Sequence, residues 1–157
     1  PGLLANNAVV RGVVDRGYWL DLGTPLAFVQ GSCDLVRGLA PSPAVANTGE
    51  ALVLDGADVA ASADVRGGST IGANAVVSAG AVVDGSVIFD EAIVGDGSDI
   101  RGSIIGRGAR IGDGCSLDGV VVGDGAVVGA RNEIREGARV WPQVAIPDLA
   151  IRYSSDA

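Results

Sequence analysis

The chain has 157 residues, of which 48% are hydrophobic but only 4% aromatic, and this favours a thin aliphatic core over a broad globular one. Its formal net charge is −8 and its eleven positive charges are all arginines, which argues against binding to nucleic acid or to an anionic membrane. It contains no histidine, so these residues cannot perform acyl transfer with a histidine base or histidine-ligated metal chemistry.

Residues 1–38 do not share the periodicity of the rest of the chain. Ala8–Val14 is rich in β-branched residues and is predicted to form a strand. A turn signal follows at residues 15–17, and Tyr18–Leu20 is predicted to form a second strand. Tyr18 and Trp19 are interpreted as packing residues rather than substrate contacts.

A helix is predicted from Pro25 to about Arg37. Thr24 is a favourable N-cap, Pro25 a favourable first helical residue, and Gly38 a favourable stop. One face of this helix would be apolar, formed by Leu26, Val29, Cys33 and Val36. Two short strands and one helix bury too little surface to fold alone. Because the chain also opens at Pro1 without a methionine, we expect residues 1–38 to be the end of a larger domain.

From Val53 onward, branched aliphatic residues recur at steps of six, with an occasional step of five. They are Val53, Val59, Val65, Ile71, Val77, Val83, Ile88, Val94, Ile100, Ile105, Ile111, Leu117, Val122, Val128, Ile134, Val140 and Ile146. A six-residue step cannot keep one helical face inward, whereas a short strand followed by a tight corner can. A fixed period of this kind is the signature of a repeat architecture.

The steps of five begin at Val83, Ile100 and Leu117, which are 17 residues apart. One coil is therefore three short strands, one on each side of a triangular prism. The predicted coils are 65–82, 83–99, 100–116, 117–133 and 134–151, after a partial coil from Val53. At about 4.8 Å per coil they make a rod about 25–30 Å long. The fifth position is small, as in Ala75, Ala81, Ala92, Ser98, Ala109, Cys115, Ala126 and Ala138, and glycines occupy corners that need positive φ or have no room for Cβ.

The repeats Ile111–Ser116 and Val122–Val127 resemble those of the hexapeptide-repeat family, whose fold is a left-handed parallel β-helix. The left-handed sense follows from the resemblance alone, since the general rule for parallel crossovers favours the right-handed sense.

Gly17–Pro25, with the sequence Gly-Tyr-Trp-Leu-Asp-Leu-Gly-Thr-Pro, resembles the closing motif of the catalytic domain of sugar-nucleotide pyrophosphorylases. The resemblance implies a mainly β chain: an α/β nucleotidyltransferase remnant at 1–38, a linker at 39–52 and a left-handed parallel β-helix with a C-terminal cap at 53–157. The stretch Ala138–Pro142 and the tail at 151–156 are similar to the bacterial mannose-1-phosphate guanylyltransferase branch of that family.

In that family the aspartate of the closing motif, here Asp21, binds Mg²⁺ together with a second aspartate from earlier in the domain. The cation bridges two phosphate groups that would otherwise repel each other. The residues alone leave a plainer interpretation open, in which Asp21 is a turn residue ahead of the N-cap Thr24.

The resemblance implies an intact enzyme that makes GDP-mannose and pyrophosphate from GTP and mannose 1-phosphate, with its own N-terminal catalytic domain as partner, assembled as a homo-oligomer. This chain alone should be inactive, because it has no match to the nucleotide loop or the second metal aspartate. Two alternatives stay open: a pyrophosphorylase for another nucleotide sugar, or a non-catalytic assembly or regulatory subunit.

Several features of the repeats are given structural interpretations. Gly106–Gly108 and Gly123–Gly125 imitate phosphate-binding loops, but nothing helical follows them, so they are predicted to be corners. Corner aspartates should be solvated rather than metal-binding, namely Asp96, Asp113 and Asp124. Asn132 breaks the small-residue pattern and suggests a hydrogen bond to a corner backbone.

Apolar residues concentrate where the column stops, namely Trp141, Ile146, Leu149, Ile151 and Tyr153. An open last coil must be covered, so some of them should cap the column and the remainder could form a contact patch. The sequence shows no apolar run long enough to cross a membrane and no signal-peptide pattern. Cys115 occupies a core position and Cys33 lies in an unrelated segment, so no disulfide framework is indicated and a cytoplasmic location is expected.

Overall fold

The computed structural model describes residues 6, 9–43, 45, 49–135 and 137–152. Within them, one helix, α1 (Pro25–Val36), precedes a series of strands of two or three residues. In chain order the strands are β1 (Ala51–Val53), β2 (Asp58–Val59), β3 (Asp64–Arg66), β4 (Ser69–Ile71), β5 (Val76–Val77), β6 (Val82–Asp84), β7 (Val87–Ile88), β8 (Ile93–Val94), β9 (Asp99–Arg101), β10 (Ile104–Ile105), β11 (Arg110–Ile111), β12 (Ser116–Asp118), β13 (Val121–Val122), β14 (Val127–Val128), β15 (Glu133–Ile134), β16 (Arg139–Val140) and β17 (Ala145–Ile146).

Every third strand pairs in parallel, so the described strands form three sheets wound about one axis. Sheet A has the order β1-β4-β7-β10-β13-β16, sheet B β2-β5-β8-β11-β14-β17 and sheet C β3-β6-β9-β12-β15. Val83 lies opposite Ile100 and Ile100 opposite Leu117 in sheet C. The shortened repeats therefore share one side of the prism, and the predicted parallel β-helix with three strands per coil is confirmed. Its left-handed sense and the domain boundaries stay predictions.

The core is a single column in which each coil contributes three aliphatic side chains. Ile71, Ile88 and Ile105 stack in sheet A and are wholly buried, as are their counterparts in the middle coils of sheets B and C. Small buried residues such as Ala75 and Cys115 fill the corners. The column is less well covered at its ends, where Val53 is half exposed and Ile146 is only partly buried.

Glycine has two separate functions at the corners. Gly108 has a φ of 62°, in the left-handed region that glycine adopts without steric cost. Gly106 has no room for a side chain, because an added Cβ would lie 2.7 Å from the backbone nitrogen of Asp124 in the next coil. Both kinds of constraint were predicted, and both are confirmed.

Sheet C carries a row of charged side chains at the end of its strands. At the end of the sheet C strands, Arg66, Asp84, Arg101 and Asp118 lie in register, so charges of opposite sign alternate from coil to coil. Arg66 forms ion pairs with Asp64 and, at 3.0 Å, with Asp84. Such partly exposed pairs contribute little stability each, up to about 1 kcal/mol.

The prediction for α1 is confirmed in its limits and in most of its face. The Thr24 hydroxyl accepts a hydrogen bond from the Ala27 N–H at 3.1 Å, and Gly38 follows the helix with a φ of 76°. The buried residues include Val29, Cys33 and Val36. Leu26 is 73% exposed, so its assignment to the buried face is wrong. An apolar cleft of about 170 Å³ lies between the first turn of α1 and sheet A. This end of the helix therefore does not pack fully against the sheet.

The two strands predicted before α1 are wrong. Residues 9–14 and 18–20 form no strand, and Ala8 lies outside the described residues. A strand requires a hydrogen-bonding partner. No other part of the chain that the structure describes pairs with these residues, and Val9 and Val13 point into solvent. Trp19 is 82% exposed, so the packing function predicted for it is also wrong within these residues.

Candidate functional site

Asp21 lies in the exposed segment that leads into α1. Its Oδ1 accepts a hydrogen bond from the Gly23 N–H at 3.1 Å, so the turn interpretation of this residue is visible in the structure. Asp15 accepts from the Gly17 N–H at 2.8 Å in the same way. The turn therefore explains the residue type at both positions equally well.

The turn does not prevent Asp21 from binding a cation. It uses one carboxylate oxygen, and the residue is exposed to solvent. Mg²⁺ is often held by one or two carboxylates together with substrate phosphates, so a single exposed aspartate fits as one contributor. The described residues contain no group of three or more histidine, cysteine, aspartate or glutamate side chains placed to hold a metal. The described residues thus do not complete a metal site around Asp21, and its metal-binding function stays a prediction.

Asp34, in α1, connects that helix to residues 17–23, which we call the Asp21 segment. Its Oδ2 accepts a hydrogen bond from the Tyr18 hydroxyl at 2.7 Å, and its Oδ1 accepts one from the Gln30 amide at 2.8 Å. Asp34 is buried, with 8% of its surface exposed. The hydrogen bond to Asp34, followed by burial and the charge of that carboxylate, raises the pKa of Tyr18 above its ordinary value.

Leu20 and Leu22, on either side of Asp21, lie against Gly31 of α1. A Cβ on Gly31 would be 2.8 Å from a methyl carbon of Leu22 and 3.3 Å from one of Leu20. The two leucine side chains therefore pack directly over this point of the helix. Together with Tyr18, these contacts place the residues around Asp21 on one side of α1.

The other side of α1 is fixed to the β-helix. A Cβ on Gly68 would lie 2.8–2.9 Å from Cys33 atoms, so the helix and the corner at Gly68 are in close contact. The Gly49 N–H donates to the Val36 carbonyl oxygen at 2.9 Å. Because α1 lies between the Asp21 segment and the first coils, it is the structural link between them.

Sequence reasoning missed the contact between Tyr18 and Asp34. One signal was available, because Asp34 lies near the C-terminal end of a helix, where a negative charge is unfavourable without a local partner. The identity of that partner depends on how the 17–23 segment folds back over α1. That tertiary arrangement cannot be read from the spacing of the residues.

The corner features of the repeats are structural. Gly106–Gly108 and Gly123–Gly125 form turns between strands, as predicted. Asp96, Asp113 and Asp124 are exposed, and they also have a function that the sequence did not reveal. Each carboxylate accepts a backbone N–H from the preceding coil, from Ala79 to Asp96 at 3.1 Å, from Asp96 to Asp113 at 3.0 Å and from Arg107 to Asp124 at 2.9 Å.

The C-terminal end of the column carries exposed apolar side chains. Trp141 is 72% exposed, and Leu149 and Ile151 are also exposed, whereas Ile146 packs against the core. The capping prediction holds for Ile146, while the contact patch stays a prediction and Tyr153 lies outside the described residues. No helix among the described residues has the length and hydropathy needed to span a bilayer.

Comparisons with known proteins agree with this architecture. Mannose-1-phosphate guanylyltransferase from Mycobacterium tuberculosis is 54% identical over 158 residues, which cover 99% of this chain and 44% of that protein. The chain thus spans less than half the length of this relative. Two solved structures of perosamine N-acetyltransferase variants from Caulobacter crescentus share the fold, each over 69% of this chain and 55% of the other. Their TM-scores are 0.53 and 0.50 at 22% and 24% identity.

At that level of identity the two acetyltransferases show the fold alone. A sequence profile of the GMPPB C-terminal domain family matches residues 47–155, which include the whole β-helix. The chain belongs to the GMPPB C-terminal domain family.

Proposed function

We propose that this chain is the C-terminal part of a nucleotidyltransferase that makes GDP-mannose and pyrophosphate from GTP and mannose 1-phosphate. The observation that carries the proposal is the 54% identity to a mannose-1-phosphate guanylyltransferase over 99% of the chain. That alignment extends across the Asp21 segment and α1 as well as the β-helix. The matched family profile, in contrast, begins only at residue 47.

In this reaction a phosphate oxygen of mannose 1-phosphate attacks the α-phosphorus of GTP. The bond to the leaving pyrophosphate breaks, so no covalent enzyme intermediate is required. A bound Mg²⁺ would supply charge neutralisation and orientation of the phosphates. Asp21 would provide one carboxylate ligand to that ion, and its exposed position leaves room for the substrates and for a catalytic domain. Catalysis would rest on positioning and charge rather than on an acid or base in this chain.

The β-helix would serve assembly or regulation in a cytoplasmic homo-oligomer. Support comes from the exposed apolar group at its C-terminal end, which includes Trp141 and Leu149. We expect the intact protein to have more subunits than a version that ends near Gly38, and light scattering on the two proteins measures this directly. Equal subunit counts would exclude the β-helix as the assembly device.

The intact protein should release pyrophosphate from GTP and mannose 1-phosphate in the presence of Mg²⁺, and the 157-residue chain alone should not.

Two aspartates with the same turn geometry provide the decisive test of the proposed site. Asp21→Asn keeps the acceptor for the Gly23 N–H but loses the charge, so turnover at saturating Mg²⁺ should fall by at least about a hundredfold. Asp15→Asn alters the equivalent turn and should leave turnover within about twofold.

Equal behaviour of the two variants would reduce Asp21 to a turn residue. An intact protein that turns over only another nucleotide or sugar phosphate would overturn the substrate assignment while keeping the enzyme class. Absence of turnover with every such pair would favour a non-catalytic subunit.

A further inference from the structure

We propose that Asp34 is a positioning residue for Asp21, holding the segment that carries Asp21 against α1 through the Tyr18 hydroxyl. The inference rests on the proposed function, because it assigns a purpose to the placement of Asp21 beside the substrates. Asp34 would act indirectly, through its hydrogen bond with Tyr18, which lies three residues before Asp21.

The first argument is the environment of Asp34. Asp34 is buried, with 8% of the residue exposed, and a buried carboxylate loses hydration at a cost unless hydrogen bonds replace the water. Its two oxygens accept from one neutral donor each, Tyr18 at 2.7 Å and Gln30 at 2.8 Å. Gln30 lies one turn earlier in α1, so that contact only orients the carboxylate within the helix. Tyr18 is the donor that ties another segment to it.

The second argument is the arrangement of contacts around Asp21. Tyr18 is held by Asp34 on one side, and Leu22 lies against Gly31 on the other. The Asp21 carboxylate itself caps the Gly23 N–H immediately before α1 begins. These contacts define where the backbone of Asp21 lies relative to the helix.

The third argument is that the supporting helix is itself fixed. Cys33, the neighbour of Asp34, lies in close contact with Gly68 at the corner between β3 and β4. Asp34 therefore anchors the Asp21 segment at the part of α1 that is held against the β-helix. Through this connection the β-helix provides a rigid base for the candidate metal ligand.

The effect of losing this anchor can be estimated from other metal sites. Removal of residues that orient a metal ligand typically weakens metal affinity by about 10–100-fold. In the intact protein, we expect Tyr18→Phe and Asp34→Asn to raise the Mg²⁺ concentration for half-maximal velocity by at least about tenfold. Tyr18→Phe removes only a hydroxyl from a half-exposed side chain, so it tests the inference even if Asp34→Asn fails to fold.

A matched control is available in the same helix. The Ser32 hydroxyl donates to the Phe28 carbonyl oxygen at 2.8 Å, a hydrogen bond within α1. Ser32→Ala should leave the Mg²⁺ requirement within about twofold, because the contacts of Tyr18 and Asp34 are unchanged.

A second readout needs no catalysis. Trp19 follows Tyr18 directly, and the sequence contains only one other tryptophan, Trp141. In the 157-residue chain with Trp141→Phe, the fluorescence anisotropy decay of Trp19 reports nanosecond motion of the segment. Adding Tyr18→Phe or Asp34→Asn should increase the amplitude of that motion, whereas adding Ser32→Ala should not. Far-UV circular dichroism should show the same thermal unfolding of the β-helix in each case.

Unchanged anisotropy decay in both variants would show that the hydrogen bond between Tyr18 and Asp34 does not hold the Asp21 segment against α1. Altered anisotropy with an unchanged Mg²⁺ requirement would overturn the positioning function, provided that Asp21→Asn lowers turnover as expected. If Asp21→Asn is itself harmless, the proposed metal function fails, and the positioning inference fails with it.

Discussion

Asn132 and Pro147 are joined across the last coil by a hydrogen bond of 2.9 Å from the Asn132 amide nitrogen to the Pro147 carbonyl oxygen. The same nitrogen donates to the Gly129 carbonyl oxygen at 2.7 Å, and the amide oxygen accepts from the Ile151 N–H at 2.7 Å. Asn132 is wholly buried in a corner position that Cys115 fills one coil earlier. The hydrogen bond to a corner backbone that the sequence suggested is confirmed, and it closes the end of the column.

Asn132→Ala should lower the free energy of unfolding by about 2–3 kcal/mol, because it removes three side-chain hydrogen bonds that each contribute about 1 kcal/mol. Cys115→Ala is the matched control. Its thiol donates one weak hydrogen bond, to the Gly129 carbonyl oxygen at 3.1 Å, so the loss should be nearer to about 1 kcal/mol. Urea denaturation followed by circular dichroism measures both. Equal losses would mean that the Asn132 network adds nothing beyond filling the corner.

The positive φ of Gly108 and the lack of space at Gly106 should give different losses of stability when each glycine is replaced. Gly108→Ala should cost about 1–2 kcal/mol, because its φ of 62° is unfavourable for alanine while nothing lies within 4 Å of the new Cβ. Gly106→Ala should cost more, because its Cβ would lie 2.7 Å from the Asp124 backbone nitrogen and the coils must move apart.

Substitution by asparagine further distinguishes an unfavourable φ from a steric overlap. Gly108→Asn should recover part of the loss, since asparagine tolerates the left-handed region and Asn74 adopts it with a φ of 55°. Gly106→Asn should recover nothing. Urea midpoints for the four variants provide the comparison, and an equal cost for Gly106→Ala and Gly108→Ala would contradict the steric argument.

The β-helix could be predicted from the sequence because every coil repeats the same local requirements. All the aliphatic residues at the predicted spacing, from Val53 to Ile146, lie on strands. The segment before α1 could not be predicted in this way. Val9 and Val13 have strand propensity, but a strand depends on a distant partner, and propensity carries no information about that partner. The contact between Tyr18 and Asp34 was missed for the same reason.

Tyr18 should ionise at a higher pH than a free tyrosine. Its hydrogen bond to Asp34, with burial and the carboxylate charge, raises its pKa above the ordinary value of about 10. The fold therefore stabilises the neutral phenol. This contribution to stability is present below about pH 10 and is lost as the pH rises through the raised pKa.

Absorbance at alkaline pH measures this pKa directly. The sequence has two tyrosines, so Tyr153→Phe leaves Tyr18 as the single reporter. Adding Asp34→Asn should move its titration back toward about pH 10, because the carboxylate charge is removed. An identical titration with and without Asp34→Asn would show that Asp34 does not interact with the phenol in solution.

The two thiols should report separately on the attachment of α1 and on the unfolding of the column. Burial raises the pKa of Cys33 and of Cys115, so both remain protonated at neutral pH and react slowly with thiol reagents. Cys33 lies on α1 and becomes accessible when the helix detaches from the corner at Gly68. Cys115 lies inside the column and requires the coils to open. We therefore expect Cys33 to be labelled faster than Cys115 under native conditions.

Gly68→Ala tests this separation, because the added Cβ would lie within 2.9 Å of Cys33 atoms and should push α1 away from the corner. We expect the labelling rate of Cys33 to rise at least about tenfold, which corresponds to about 1.4 kcal/mol of lost attachment, with no change at Cys115. Gly137→Ala is the control, since Gly137 has a similar φ of 74° but nothing within 4 Å of its Cβ position. It introduces comparable backbone strain without the contact. If both variants accelerate Cys33 labelling equally, backbone strain and not the close packing of Gly68 against α1 controls the attachment of the helix.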